Sequence, residues 1–175
     1  DAKGLLKTCI RDDNPVLFIE HKMLYKEKGE VPDEEYLIPL GEAAVRREGG
    51  DVTLVGYSRM ANRAVEAGEA LAGEGVEAEV IDLRCLRPLD IDAVLDSVRK
   101  TGRLVVCSEG YQETNFVCEI VTKVQQFAFD YLDAPIQRVC SANCPVPMSP
   151  VLENEAVPTA EKIVVAAKRT LARNV

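Results

Sequence analysis

The chain has 175 residues and a mass of 19.2 kDa, the size of one domain or of one domain with part of another. A hydrophobic fraction of 47% and a charged fraction of 29% exclude a disordered tail or a fibre, and no apolar run approaches the ~18 residues of a membrane span. A net charge of −8 and a pI near 4.8 argue against binding nucleic acid through its phosphates and suit a basic protein partner.

The first residues read as the end of a helix over 2–10, followed by a turn over 11–15. There the Asp and Asn side chains can bond their own backbone, and Pro15 blocks helix continuation. The run Val16, Leu17, Phe18, Ile19, Glu20 has the length and apolar continuity of a strand buried on both faces of a parallel sheet. A helix end and one strand cannot cover their own faces, and the chain starts at Asp1 without an initiator Met. It therefore reads as a piece of something longer, with this strand completing an absent sheet. Residues 22–39 are charged, with Gly29, Pro32 and three consecutive acids, as in a linker or arm.

From about residue 40 a strand–helix rhythm sets in. Residues 51–57 predict a strand, and Ser58 the cap of a helix whose Met60, Ala64, Ala67 and Leu71 recur at helical spacing. Gly73 and Gly75 end that helix. A second strand is expected over 76–82, then a helix capped by Asp90 with Ile91, Val94, Leu95 and Val98 on one side. A third strand over 103–108, a helix over 115–129, a short strand over 135–140 and a last helix from Thr159 with Ile163, Ala167 and Leu171 inward complete the series. Strands alternating with helices imply parallel crossover units, so the fold class is α/β: an open, mostly parallel twisted sheet with helices on both faces.

Six cysteines (Cys9, Cys85, Cys107, Cys118, Cys140, Cys144) could pair as disulfides. However, Cys107 lies in an apolar strand and Cys118 in a helical pattern, where free Cys acts as a small hydrophobe. A chain this long needs no staples, so free thiols in a reducing compartment are expected. Cys140 and Cys144 have half of a zinc spacing, but no second pair follows.

Ligands of open α/β sheets sit beyond the carboxyl ends of the strands. The loops there are 58–59, 83–88, 109–115 and 141–149, and none carries G-x-G-x-x-G, a P-loop, G-x-S-x-G or H-E-x-x-H. His21, the sole histidine, could serve acid–base chemistry, although without a recognisable Ser, Cys or Asp partner a structural role fits as well. Glu109 stands just past the third strand, where it could serve a site or cap the next helix. Arg84 and Arg87 could fork onto an anionic group or onto acidic neighbours in the same chain. Read this far, the residues describe an α/β domain without a complete active site.

Several segments, in order and spanning nearly the whole chain, carry a resemblance: IRDDNP at 10–15, FIEHK at 18–22 with Leu24 and Tyr25, IPLG at 38–41 and REG at 47–49. They continue with VIDLRCLRPLD at 80–90, KTGR at 100–103, DYLDAP at 130–135 with Arg138 and Val139, and PVP at 145–147 with Leu152 and Glu153. Together they resemble the β subunits of thiamine-diphosphate-dependent 2-oxo acid dehydrogenases, of the pyruvate dehydrogenase and acetoin dehydrogenase type. The resemblance implies that residues 1–25 are the tail of a pyrimidine-binding domain, 26–39 a linker, and 40–175 a transketolase-type C-terminal domain.

It further implies that the holoenzyme decarboxylates a 2-oxo acid on thiamine diphosphate and Mg, and passes the acyl group to lipoamide. The partners implied are an α subunit, a second β subunit and a lipoyl acyltransferase core, with no nucleic acid and no membrane. In such β subunits the activating glutamate and the catalytic histidine precede the segment seen here. No catalytic or cofactor-binding residue is therefore expected in this chain, and His21 is not the family's catalytic histidine. A potassium ion is the one ligand implied, held by backbone carbonyls at positions matching Cys9, Ile10, Asp12 and Asn14. A bare Asx-type turn is the alternative. The sequence departs from the family where ETNFVC at 113–118 replaces a glycine-rich helix start, and at Asn143, Cys144 and Met148. Bacterial cytoplasm is the expected compartment, with mitochondrial matrix and plastid as alternatives. A non-catalytic nucleotide-binding or scaffold domain is the competing reading from another class.

Overall fold

The computed structural model describes residues 1–172. Five strands form one sheet in the order β1-β3-β2-β4-β5: β1 (Ala44–Arg47), β2 (Val52–Gly56), β3 (Ala78–Asp82), β4 (Leu104–Tyr111) and β5 (Gln137–Ser141). β2, β3, β4 and β5 run parallel, and β1 lies antiparallel on the outer edge of β3. The helices are α1 (Ala2–Arg11), α2 (Arg59–Ala72), α3 (Ile91–Thr101), α4 (Phe116–Phe127), α5 (Pro150–Ala156) and α6 (Ala160–Leu171). The mostly parallel α/β architecture expected from the alternation is what forms.

Successive strand residues point to opposite faces, and each face is roofed by helices. Leu54, Val80 and Val105 pack with Met60, Ala64, Ala67 and Leu71 of α2 and with Ile163 and Ala167 of α6. Their neighbours Val55, Ile81 and Val106 face the other way, onto Val94, Leu95 and Val98 of α3 and Val117, Ile120 and Val124 of α4. Burial on both faces is why β2 and the first half of β4 read as largely apolar runs rather than alternating ones.

Several local expectations differ. The run 16–20 forms no strand: it is extended and unpaired, with Leu17 91% and Ile19 88% exposed. An apolar run becomes a strand only against a neighbour that takes its hydrogen bonds and one face, and among the described residues none lies beside it. The arm after it contains one 3-10 turn, Lys22–Lys26. Ser58 occupies the N-cap position of α2 without a side-chain cap bond; at φ +56 it lies outside the extended conformation from which a capping hydroxyl reaches the helix N–H groups. Asp90 and Asn115 do cap, accepting from the N–H groups of Ala93 and Val117. Gly73 remains right-handed, and Gly75 takes the left-handed φ of +82. Leu171 is half-buried; Thr170, its hydroxyl turned back onto the Ala167 carbonyl, is the buried residue there.

Gly56 has a direct bearing on the site. A Cβ there would come within 2.8 Å of the Met60 backbone, so only glycine lets the first turn of α2 fold tightly against the end of β2. This close turn holds Arg59 over the carboxyl ends of the strands.

Candidate functional site

From β2 the chain steps to β3 on one side, then crosses to β4 on the other. The strand order therefore reverses between β2 and β4, the position where doubly wound sheets open a crevice. Three charged or titratable side chains meet there. Glu109, near the end of β4, receives Arg59 Nη1 on Oε1 at 3.1 Å and His21 Nε2 on Oε2 at 2.9 Å. Each of the three side chains is about one-quarter exposed. His21 Nδ1 accepts the Met23 backbone N–H at 3.2 Å, which fixes the tautomer with the proton on Nε2. Both ring nitrogens and both carboxylate oxygens are thus in contact with partners within the chain. Beneath this trio the Tyr57 hydroxyl pairs with Ser108 Oγ at 2.7 Å, and Ser108 Oγ also accepts the Gly110 N–H. Burial pushes the Tyr57 phenol above its ordinary pKa.

Beyond β3, Arg84 forks onto Asp1, Nε to Oδ2 at 3.0 Å and Nη2 to Oδ1 at 2.8 Å, tying the start of α1 to the sheet. Of the two uses open to Arg84, the clamp within the chain is the one formed. Asp82 accepts the Arg84 N–H and faces Arg46, yet burial outweighs these bonds and lifts its carboxyl above the ordinary range. Arg87 is exposed, without an ion-pair partner among the described residues.

Cys9 and Ile10 lie in the last turn of α1, whose final four carbonyls have no partner within the helix. Asp12 Oδ1 then accepts both the N–H and the side-chain N–H of Asn14, at 2.8 and 3.0 Å, an Asx turn whose bonds hold the Asp12 carboxyl below its usual pKa. Helix-end carbonyls at the negative pole of the helix dipole are a donor chemistry that fits a hard monovalent cation. The helix end and the Asx turn thus follow one another directly over 9–14.

Two of the strand-end loops, 109–115 and 141–149, come together at one further feature. A cleft of about 440 Å³ opens beside β5, lined by Arg138, Cys140, Lys162, Glu155 and Gln112. Its cations are occupied within the chain: Lys162 Nζ donates to the carbonyls of Asn154, Glu155 and Val157, closing the end of α5, and Arg138 Nη1 to the Gln112 carbonyl and the Cys118 sulfur. The departure at 113–118 has a local solution: Asn115 caps α4 with its oxygen while its amide donates to the Tyr111 carbonyl. All six cysteines are free, and no group of three or more His, Cys, Asp or Glu side chains converges among the described residues. Every buried side-chain nitrogen and oxygen described has a hydrogen-bond partner, so no buried group is held in readiness for a diphosphate or an aminopyrimidine. The residues present do not fit thiamine diphosphate.

Among solved structures, a split-gene transketolase in an inactive β4 tetramer matches 82% of this chain and 45% of its own, with a TM-score of 0.68 at 26% identity. The pyruvate dehydrogenase E1 component subunit beta of Dictyostelium discoideum is 48% identical over 99% of the chain and 50% of its own length. The acetoin:2,6-dichlorophenolindophenol oxidoreductase subunit beta of Cupriavidus necator is 51% identical over 98% of the chain and 51% of its own. The chain thus spans about half the length of the curated relatives it matches. Residues 41–163 match the family described as Transketolase, C-terminal domain, and the chain belongs to that family.

Proposed function

We propose that the chain is the C-terminal half of a β subunit of a thiamine-diphosphate-dependent 2-oxo acid dehydrogenase. In this reading residues 1–25 are the tail of the pyrimidine-binding domain, 26–39 the linker and 40–175 the transketolase-type domain. The observation that carries it is the 48% identity to a pyruvate dehydrogenase E1 β subunit, running through 99% of the chain. The exposed, unpaired run 16–20 supports it too, because such a segment is what remains when the strands beside it lie on other sequence.

The whole protein would carry out oxidative decarboxylation with acyl transfer to lipoamide. Its cofactors would be thiamine diphosphate and Mg, bound with an α subunit and by residues outside this chain. The half described here would supply β–β assembly and docking of a lipoyl acyltransferase core. A potassium ion on the carbonyls of Cys9, Ile10, Asp12 and Asn14 would brace the turn after α1. Its chemistry is charge neutralisation at a helix end. Bacterial cytoplasm is the compartment we favour, with free thiols in its support; the mitochondrial relatives make the matrix the second reading.

The test is to express the full reading frame with its α subunit and measure pyruvate-dependent transfer to lipoamide. Activity is expected from the heterotetramer and none from the 175-residue chain, and turnover by the chain alone would overturn the reading. The 51% identity to an acetoin oxidoreductase subunit favours a second reading, for which acetoin-dependent dye reduction by the same heterotetramer is the assay. Docking of a basic module to this acidic chain is expected to weaken markedly with salt. An affinity equal at low and high salt would remove charge from that account.

A further inference from the structure

We infer that the crevice at the β2/β4 switch point, the usual ligand position of a doubly wound sheet, is in this chain the seat of its own arm, with Glu109 the anchor and His21 the plug. Three observations carry this. First, both imidazole nitrogens are engaged: Nε2 stands 2.9 Å from Glu109 Oε2, a close polar contact, while Nδ1 accepts the Met23 N–H. Second, Glu109 is held from two elements at once, by Arg59 of α2 on one oxygen and by the arm on the other. Third, apolar burial holds the arm only at Phe18 and Leu24, which are partly buried. Leu17 and Ile19 are almost fully exposed, and Met23 and Tyr25 are 51% and 66% exposed. The Tyr25 hydroxyl donates back to Glu20 within the arm itself. His21 is the arm's polar link to the sheet, and the 3-10 turn over Lys22–Lys26 is nucleated on it, through its side chain to Met23 and its carbonyl to Leu24.

Where a relative of the fold would admit a small molecule, this chain inserts an imidazole from residue 21, and the crevice becomes a joint between the arm and the C-terminal sheet. The joint stands whether or not residues 1–25 belong to a separate domain, so the measurement below is independent of the activity proposed above.

Amide hydrogen exchange of the peptide covering 21–27 reads the joint, because the amides of Met23, Leu24 and Glu27 are its bonded donors. E109A and H21A are each expected to speed that exchange tenfold or more while the amides of β2 and β4 keep their protection. Imidazole at millimolar concentration then serves as the probe. It is expected to restore slow exchange in H21A, by filling the vacated seat between Glu109 and the Met23 N–H, and to do nothing in the H21A/E109A double variant. Unchanged exchange at 21–27 in E109A overturns the inference, as does an imidazole effect of equal size with and without Glu109.

Discussion

Replacing Lys100 with Met tests how the sheet tolerates a buried carboxylate. Glu79 sits on β3, 4% exposed, and is paired with Lys100 of α3; Ser97 adds a further bond. Burial is the largest influence on Glu79 and raises its pKa, but the Lys100 and Ser97 bonds and the Lys100 charge together outweigh it, so the carboxyl lies below its ordinary 4.5. Lys100 responds in kind, its ammonium held above the usual value by Glu79. Removing one partner of a buried pair costs about 3–5 kcal/mol, and because the Lys100 side chain is 46% exposed the lower end, about 3 kcal/mol, applies. At roughly 2–4 °C per kcal/mol for a chain of this size, the midpoint falls by about 6–12 °C.

The pH dependence changes as well. In the parent the folded pKa is depressed, so the contribution of Glu79 is present above pH 4.5 and is lost as pH falls through the folded value. In K100M the Lys100 bond and charge are gone, the Ser97 and Glu48 bonds alone oppose burial, and the folded pKa rises relative to the parent. The variant is therefore closest to the parent in acid and loses stability relative to it as pH increases. Urea unfolding followed by circular dichroism at pH 5 and pH 8 is the assay. A loss below about 1 kcal/mol at pH 8, or an equal loss at both pH values, would refute the reasoning. The double variant E79L/K100M, which removes both charges, is expected to recover most of the loss.

Asp90 both caps α3 at Ala93 and receives the Ala43 N–H, so D90A is expected to cost about 1–2 kcal/mol in chemical denaturation and D90N much less. Gly102 ends α3 at φ +67, and a Cβ there would collide with the Asp133 carboxylate. G102A is therefore expected to lose about 2 kcal/mol, of which G102A/D133A recovers only the steric part. The Cys107 thiol is fully buried and its pKa is pushed far up by burial, whereas Cys144 is exposed. Mass spectrometry after thiol labelling at pH 8 should find Cys144 modified early and Cys107 only as the chain unfolds; prompt labelling of Cys107 would show the sheet to be open.

What the sequence made legible follows from how each element is stabilised. β2, β3 and β4 announce themselves because both faces are buried, and α2, α3 and α4 because one stripe of each is apolar. β1 was not legible: its residues Ala44, Val45, Arg46 and Arg47 include two arginines, and it exists because β3 offers it an edge. α5 escaped as well, a seven-residue helix that starts on Pro150 and buries only Ala156. The run 16–20 has the apolar character of a strand and forms none here, in keeping with the reading that its sheet lies outside this sequence. At the site, the strand-end rule led to Glu109 and to the loop holding Arg59, and His21 stood out as the only histidine. Nothing local joins them, since their meeting depends on the strand order and on the path of the arm.

The tetrapeptide KTGR at 100–103 was among the segments carrying the resemblance, and its four side chains have four structural destinations. Lys100 neutralises Glu79, and Thr101 bonds the Thr53 hydroxyl of β2 at 2.7 Å. Gly102 makes the left-handed stop, and Arg103 reaches Asp133 and the Thr170 carbonyl at the end of α6. The motif therefore joins α3 to β2, β3 and α6. Likewise Arg84 of VIDLRCLRPLD is occupied with Asp1, and Asp90 with Ala43 and Ala93. Residues that build joints of this kind are indifferent to the substrate handled elsewhere in a protein. That indifference accounts physically for the nearly equal identity of this chain, 48% and 51%, to a pyruvate dehydrogenase subunit and an acetoin oxidoreductase subunit.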